Sequence, residues 1–379
     1  MAEYKRLGDY IREVNVRNRE LKVTKLVGLT IDKAFIPSVA NVIGTDLSNY
    51  KVIQREQFAC SLMQVSRDGK MPVAMFEEDE AIMSPAYPMF EVIDKIVLMP
   101  QYLMMWFSRS EFDREASYYA VGGVRGSLTW EDFCNMQLPI PSIARQREIV
   151  SEYETLTNRI RLNNQMIQHL EATAQALYRK TFVDNIDKEN LPEGWRIGTI
   201  GEFCKEMKSG GTPSRSHNEY WDKKDYPWLK TGEVQNNVII NVEEYISEEG
   251  MKNSSAKIIP RGSVIMAMYG GGTVSNIAYL DCDTTTNQAC CNMICNSKQD
   301  AAFLFFHLRY HQEDIKRLAN GGAQENLSQE VIAQQPIIIF ENNENKSLFI
   351  PILDNLIIKY RENEKLTELQ SLLLAKMGQ

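Results

Sequence analysis

Two long segments of the chain carry apolar residues at alternating steps of three and four. In the first segment, residues 145–182 contain neither Gly nor Pro. The second begins near Phe349, and its only proline, Pro351, falls where a first helical turn tolerates it. This spacing is typical of a coiled-coil seam, so it predicts two long helices. The predicted seam positions are Ile149, Tyr153, Leu156, Ile160, Asn163, Ile167 and Leu170 in the first segment, and Leu356, Asn363, Leu366, Leu369 and Leu373 in the second.

The first of these helices would be too long to lie inside one small domain. At 1.5 Å per residue it would extend over about 57 Å. We therefore expect the two helices to pack on each other as an antiparallel coiled coil, because they can then share one apolar seam. The alternative is that each helix packs only on its own domain.

The rest of the chain repeats one plan. Gly122 and Gly321 both begin a Gly-Gly pair, and they lie 199 residues apart (321 minus 122). A Leu-Thr-x-Glu motif at 128–131 and a Leu-Ser-x-Glu motif at 327–330 keep that offset. A period this long indicates tandem domains rather than a solenoid. The predicted organisation is an α+β fold with globular domains at 1–141 and 186–340, each followed by a helical spacer, at 142–185 and 341–379.

The composition fits two ordinary hydrophobic cores. The chain has 379 residues, of which 44% are hydrophobic and 24% charged, and its formal net charge is -8. This charge argues against nucleic-acid binding by bulk charge but leaves room for a local basic face. The longest apolar run, at 96–107, is too short to cross a bilayer. Seven scattered cysteines without an export signal or a zinc-type spacing predict a cytoplasmic protein with no bound metal.

Several short motifs resemble those of one protein family. They are Gly210-Gly211-Thr212-Pro213-Ser214-Arg215, Tyr220-Trp221, Tyr226-Pro227-Trp228-Leu229, Asn287-Gln288, Leu327-Ser328 and Leu138-Pro139-Ile140-Pro141. Together with the order of two variable domains and two helical spacers, they make the chain similar to the specificity subunits of type I restriction-modification systems. The resemblance extends over essentially the whole chain. Two departures are the lack of a Gly-Thr-Pro-Ser segment in the first half and the lack of prolines at 337–340.

The resemblance implies a non-catalytic reader of double-stranded DNA that acts in host defence. Each globular domain would be a target recognition domain for one half of a split, asymmetric site. The helices, through the seam residues given above, would pair and dock two methyltransferase subunits, and restriction subunits would join for cleavage. S-adenosylmethionine would bind the methyltransferase partner, and ATP and Mg²⁺ the restriction partner. The chain itself would therefore need no cofactor and would have no catalytic residue.

Two glycine-rich segments and one cation of the second domain are candidate DNA contacts. The candidates are Gly210, Gly211, Thr212, Ser214, Arg215, Lys230, Gly271 and Thr273. Backbone amides and hydroxyls in the first segment could hold a phosphate, with an arginine beside them. The second segment follows a strand-like run, so its backbone could approach a ligand closely. The competing interpretations are a glycine-proline turn without a ligand and a flexible loop after a strand.

The candidates in the first domain lie in two polar turns. They are Arg67 and Lys70 in one turn and Arg125 in the other. Arginine and lysine can pair with guanine edges, and each good bidentate contact discriminates by roughly 1 to 3 kcal/mol. The competing interpretation is that these side chains are merely solvated, as most surface cations are.

Three other functions have to be weighed against DNA reading. Ser84-Pro85-Ala86-Tyr87 is close to a methyltransferase motif but lacks its second proline, and no methyl-donor loop is present. Asp68-Gly69-Lys70 could belong to a magnesium-dependent nuclease, but an exposed Asp-Gly turn is far commoner. A coiled-coil scaffold that binds no DNA would show the same duplication. DNA affinity that falls steeply with salt would exclude that scaffold.

Overall fold

The computed structural model describes residues 4–38, 44–63, 65–121, 126–184, 186–187, 189–270, 272–319, 326–340 and 344–378, except for the side chains of Arg67 and Glu344. These form two units. Unit 1 comprises Met1–Arg159 with Leu366–Gln379, and unit 2 comprises Ile160–Lys365. The repeated Gly-Gly pairs at 122–123 and 321–322 lie outside the described residues. The units divide both long helices, so the predicted domain boundaries at 141, 185 and 340 stay predictions.

Unit 1 is built on four small antiparallel sheets. Its strands are β1 (Tyr4–Arg6), β2 (Ile11–Glu13), β3 (Val27–Leu29), β4 (Phe35–Pro37), β5 (Lys51–Gln54), β6 (Phe58–Cys60), β7 (Val73–Met75), β8 (Glu80–Met83), β9 (Met89–Val92) and β10 (Gln137–Pro139). The largest sheet has the order β2-β9-β6-β7, and the other pairs are β1-β10, β3-β4 and β5-β8.

Short helices cover this sheet on the side of the unit 1 core. They are α1 (Val65–Asp68), α2 (Pro100–Phe107), α3 (Ser110–Ala120) and α4 (Trp130–Asn135). The apolar run at 96–107 thus becomes α2, which starts at Pro100 because proline fits the first helical turn. Phe58 stacks on Phe90 across two strands with ring centroids 5.0 Å apart, and Phe107 packs edge-on against both. Aromatic residues therefore join the sheet to the helices.

Unit 2 has a larger, mixed sheet. Its strands are β11 (Trp195–Thr199), β12 (Glu206–Ser209), β13 (Tyr226–Leu229), β14 (Asn237–Ile239), β15 (Glu244–Ile246), β16 (Val264–Ala267), β17 (Ile277–Leu280), β18 (Thr285–Thr286), β19 (Cys290–Ile294) and β20 (Pro336–Phe340). Five strands form the order β12-β19-β16-β17-β14, in which β14 and β17 are parallel. A second sheet has the order β15-β13-β18, with β13 and β18 parallel, and β11 pairs with β20.

The helices that lie within unit 2 are short except for α8. They are α6 (Ile200–Phe203), α7 (Glu248–Lys252), α8 (Lys298–Tyr310), α9 (Gln312–Lys316), α10 (Gln329–Ala333) and α11 (Glu344–Ser347). Ser297 caps α8 by accepting a hydrogen bond from Asp300 N at 3.1 Å. Phe303, Phe305 and Phe306 of α8 are fully buried. They pack α8 against the large sheet and form the main core of the unit.

The repeated Leu-Thr-x-Glu and Leu-Ser-x-Glu motifs begin a short helix in each unit. Thr129 caps α4 by accepting a hydrogen bond from Asp132 N at 3.0 Å, and Ser328 caps α10 by accepting one from Val331 N at 3.2 Å. Each short helix leads into a strand that closes its unit, since β10 runs antiparallel to β1 and β20 antiparallel to β11. The repeated plan thus joins the first and last strands of each domain immediately before a long helix.

Both predicted long helices are present, as α5 (Ile143–Phe182) and α12 (Ile350–Lys376). In unit 1, Gln370 Nε2 on α12 donates to Thr157 Oγ1 on α5 at 2.7 Å. Leu369, which we expected in the seam, is 48% exposed, because Gln370 takes the position that faces α5. The prediction for Leu369 was wrong by one residue. Apolar spacing favours Leu369, but its polar neighbour Gln370 occupies the seam because it can hydrogen bond across to α5.

In unit 2 the two predicted seam asparagines meet. Asn163 is buried and donates through Nδ2 to Asn363 Oδ1 at 2.9 Å, and Asn363 donates to Asn164 Oδ1 at 2.8 Å. A polar pair in an apolar seam fixes the register, because any slip would leave the buried amides unpaired. Glu171, later on α5, lies near Tyr360, earlier on α12, so the helices run antiparallel here. The predicted α+β fold with two tandem domains and two long helices is confirmed.

An ion-pair cluster fastens α12 to the large sheet of unit 2. The buried carboxylate of Asp281, just after β17, lies 2.8 Å from Arg261 and 2.5 Å from Arg361 on α12. Two guanidinium groups compensate one buried charge, which is the condition under which burying a carboxylate is tolerated. No helix among the described residues is long and apolar enough to span a membrane.

Candidate nucleic-acid interface

The polar segments of unit 2 that the sequence singles out converge on one turn. This turn, Asn287-Gln288-Ala289, lies between β18 and β19 and is called the 287–289 turn. Asn287 N donates to Leu229 O at 3.1 Å, and Met268 N donates to Ala289 O at 2.8 Å. The turn is therefore held between the end of β13 and the segment that follows β16.

The two glycines of the Gly-Gly-Thr-Pro segment allow close packing against this region. A Cβ atom on Gly210 would lie 2.2 Å from Thr286 O, and one on Gly211 would lie 2.4 Å from Ser255 Oγ. Gly211 N donates to Thr286 O at 2.8 Å, and Gly211 O accepts from Trp228 Nε1 at 2.9 Å. Because the backbone groups of Gly211 are already used, the structure favours a packing role for the glycines over direct phosphate binding.

We expect Gly211→Ala to lower the free energy of unfolding by about 1–3 kcal/mol, the usual cost of overpacking a filled site. Urea denaturation of the full chain measures this change. Gly232→Ala is a matched control, because a Cβ atom there meets nothing within 4 Å. If Gly211→Ala were as stable as Gly232→Ala yet weakened DNA binding with a smaller salt dependence, phosphate binding by this amide would be the better explanation.

The side chains after the glycines form a small ordered surface. The Thr212 hydroxyl donates to Gln288 Oε1. Ser214 Oγ lies 2.8 Å from Ser216 Oγ. Arg215 lies over the Trp221 ring, with its guanidinium carbon 3.5 Å from the ring centroid. Such cation–π stacking holds the guanidinium in one place while leaving its edge accessible.

Two carboxylates balance the nearest cations. Arg215 lies 2.6 Å from Glu244, and Lys230 lies 2.8 Å from Glu243 and 3.1 Å from Glu244. Burial would raise the pKa of Glu244, but hydrogen bonds from Arg215 and Lys230 outweigh it, so this pKa is lowered. The hydrogen bond with Glu243 is the largest of the effects that raise the pKa of Lys230. A DNA phosphate would therefore have to compete with Glu244 for both cations.

The second glycine-rich segment lies beside the same turn. Gly270 has φ +128° and Gly272 has φ +83°, backbone conformations that favour glycine, whereas Gly271 lies outside the described residues. A Cβ atom on Gly270 would lie 3.7 Å from Thr231 Oγ1, which accepts a hydrogen bond from Asn287 Nδ2 at 3.4 Å. Thr273 Oγ1 is buried and has no hydrogen-bond partner among the described residues.

Gln288 is the residue at this surface that the sequence analysis did not select as a DNA contact. Its side chain is exposed, accepts a hydrogen bond from the Thr212 hydroxyl and donates one to the Tyr269 hydroxyl. Its only signal in the sequence is the Asn287-Gln288 pair, which indicates the family resemblance and not a site. The contacts that bring Thr212 and Tyr269 to it span many residues of sequence, so no local pattern could reveal them.

The candidates in unit 1 do not form a comparable cluster among the described residues. Lys70 lies 3.4 Å from Asp32 and follows Gly69, whose φ is +67°. Arg125 lies outside the described residues, as does the side chain of Arg67. No group of three or more His, Cys, Asp or Glu residues in the described part of the chain is placed to hold a metal ion.

Comparison with known proteins identifies the family. Residues 192–372 match the profile described as Type I restriction modification DNA specificity domain. The specificity subunit of the HindI type I restriction enzyme from Haemophilus influenzae is 23% identical over 379 residues, which cover 79% of this chain and 81% of that protein. Residues 192–372 therefore form a type I restriction-modification DNA specificity domain. The EcoR124I/EcoR124II specificity subunit from Escherichia coli is 26% identical over 171 residues, 44% of this chain and 41% of that protein.

The fold of this chain has a known counterpart. The crystal structure of the type I restriction-modification S subunit from M. genitalium matches with a TM-score of 0.57 at 14% identity, over 100% of this chain and 96% of that one. The resemblance to the non-catalytic specificity subunits of type I systems, which the sequence predicts, is confirmed. The comparisons support this function and not the scaffold alternative.

Proposed function

We propose that each unit reads one half of a bipartite, asymmetric DNA site and that α5 and α12 set the distance between the halves. The match of residues 192–372 to a DNA specificity domain carries this proposal. The shared plan of the two units, with β1 paired to β10 and β11 paired to β20, supports the same role for unit 1. The fixed polar groups around the 287–289 turn are suited to base edges and phosphates.

The proposal includes the partner subunits. Two methyltransferase subunits dock on the long helices, and restriction subunits join them for cleavage. Exposed apolar residues on these helices support docking, because an isolated chain would otherwise leave them in water. They are Leu162 and Met166 on α5, and Ile358, Leu369 and Leu372 on α12.

The chemistry belongs to the partners in this proposal. S-adenosylmethionine binds to the methyltransferase subunits, and ATP and Mg²⁺ bind to the restriction subunits. Methylation of an adenine requires the base to leave the stack, so the specificity subunit holds the DNA while its partner extracts the base. Because this chain is acidic and Glu244 balances its nearest cations, the partners supply much of the phosphate neutralisation. The isolated chain therefore binds DNA weakly.

Modified-base sequencing tests the proposal directly. DNA is compared from cells that carry this gene with its methyltransferase partner and from cells that lack only this gene. A split methyladenine motif that disappears with the deletion supports the proposal. An unchanged methylation pattern contradicts it, provided that the chain is expressed and bound to its partner in those cells.

A further inference from the structure

Gln288 presents an exposed side-chain amide that lies between two hydroxyl groups. Its Oε1 accepts from the Thr212 hydroxyl, and its amide donates to the Tyr269 hydroxyl oxygen. Exposed glutamines ordinarily lose rotamer freedom when they bind, which weakens binding. Here two neighbours on ordered segments have already restricted the side chain. Such restriction is the property that a recognition residue needs.

The backbone beneath Gln288 is equally well held. Asn287 directs its own amide inward, where Oδ1 accepts from Ala289 N at 3.1 Å and from Cys290 Sγ at 3.3 Å. Its Nδ2 donates to Thr231 Oγ1. The two adjacent amides thus have opposite roles, since Asn287 fixes the turn and Gln288 points outward from it.

The exposed side of the Gln288 amide retains one acceptor site and one donor site. A carbonyl oxygen has two lone pairs and an amide nitrogen has two hydrogens, so one of each remains after the bonds to Thr212 and Tyr269. An acceptor beside a donor complements the N6 donor and N7 acceptor of adenine in the major groove. Guanine presents two acceptors along that edge, whereas cytosine and thymine offer one polar group each. The pair of free sites on Gln288 therefore selects adenine.

We propose that Gln288 determines specificity in the half-site read by unit 2, where it makes a bidentate contact with an adenine. Thr212 and Tyr269 are positioning residues that keep the oxygen on one side and the nitrogen on the other. Arg215 and Lys230 lie in the same part of unit 2, where they can meet phosphates once Glu244 is displaced. This inference rests on the proposed function, because it assigns one base contact within the same interface.

The test is the methylated motif of the complete methyltransferase complex with substitutions at Gln288. With Gln288→Leu, we expect one adenine position in one half-site to become degenerate, with discrimination falling about five- to 150-fold. The other half-site and the spacer should not change. Gln288→Glu offers acceptors only, so the preferred base should shift toward cytosine, whose N4 donates. Thr212→Val should weaken discrimination at the same position without changing the base.

Gln334→Leu is the matched control. This exposed glutamine follows α10, next to β20, and its substitution should leave the motif unchanged. A wild-type complex that methylates no split motif would overturn the proposed function itself. A wild-type split motif that Gln288→Leu leaves intact would overturn only the adenine contact. If Gln288→Leu abolishes methylation, the affinity of the complex is measured instead, with duplexes that carry each of the four bases in turn at every adenine position. A variant that still prefers adenine at all of these positions overturns the inference.

Discussion

A seven-residue insertion in both long helices is expected to lengthen the unrecognised spacer of the DNA site by up to about three base pairs. Seven residues add about 10.5 Å of helix, and base pairs are stacked 3.4 Å apart. The insertion points are between Arg159 and Ile160 in α5 and between Lys365 and Leu366 in α12, where the units divide. Both half-sites should remain as they are. Modified-base sequencing of the methyltransferase complex gives spacer and half-sites together.

The length of the insertion follows from the contacts within each unit. Seven residues restore the coiled-coil repeat, whereas four would shift the apolar seam around the helix. Unit 1 would keep the bond between Thr157 and Gln370, and unit 2 would keep the bond between Asn163 and Asn363. Insertion in α5 alone is the control, because one unit must then give up its helix contacts and the chain should become less stable. An altered half-site, or an unaltered spacer with the paired insertion, would contradict the role of the helices in spacing.

The sequence predicts those parts of the fold in which interacting residues lie close together along the chain. The long helices follow from apolar spacing, and position alone places Asn163 and Asn363 in the seam, where they hydrogen bond to each other. The capping motifs at Thr129 and Ser328 are equally local, since three residues contain both donor and acceptor. Such elements can be read from a pattern because the partners lie within one turn or one repeat.

The candidate interface could be predicted only in part, because its geometry depends on distant contacts. The sequence located Gly210 and Gly211 but could not show that Thr286 and Ser255 fill the space beside them. Nor could it show that Gln288 is held between Thr212 and Tyr269, because β18 and β19 bring those segments together. Parallel pairing between β13 and β18 is non-local as well. The residues of greatest interest for recognition are therefore those that the sequence pattern indicates least directly.

Unit 2 should lose stability in mild acid through one buried histidine. His307 on α8 lies with Nδ1 2.6 Å from the hydroxyl of Tyr178 on α5 and also hydrogen bonds to the backbone of Pro336. Burial is the largest cause that lowers the pKa of His307, the nearby His311 adds to it, and the bond to Pro336 opposes both, so the pKa is about 3. The neutral ring therefore accepts from Tyr178 at one nitrogen and donates at the other, whereas a protonated ring would place an uncompensated charge in the core.

The sign of the effect follows from the two pKa values. The unfolded chain binds a proton at this histidine below about pH 6.5, and the folded chain does not until about pH 3. The contribution of the neutral His307 ring to the unfolding free energy is thus fully present above pH 6.5. Below that pH it falls by about 1.4 kcal/mol for each pH unit. Between pH 7 and pH 5, the wild-type chain should lose about 2 kcal/mol more of its unfolding free energy than His307→Gln does. Urea denaturation of the full chain at several pH values measures that difference.

Two further variants separate the histidine from its surroundings. His169→Gln removes one imidazole from an exposed position on α5 and is the matched control for the loss of a histidine. Tyr178→Phe together with His307→Phe removes both side chains of the buried hydrogen bond and keeps the aromatic volume of the core, so only the backbone of Pro336 loses a partner. This double variant should resist acid as His307→Gln does. If the wild type and all the variants lose the same unfolding free energy between pH 7 and pH 5, the acid response does not come from the buried pair Tyr178 and His307. Surface carboxylates would then govern it.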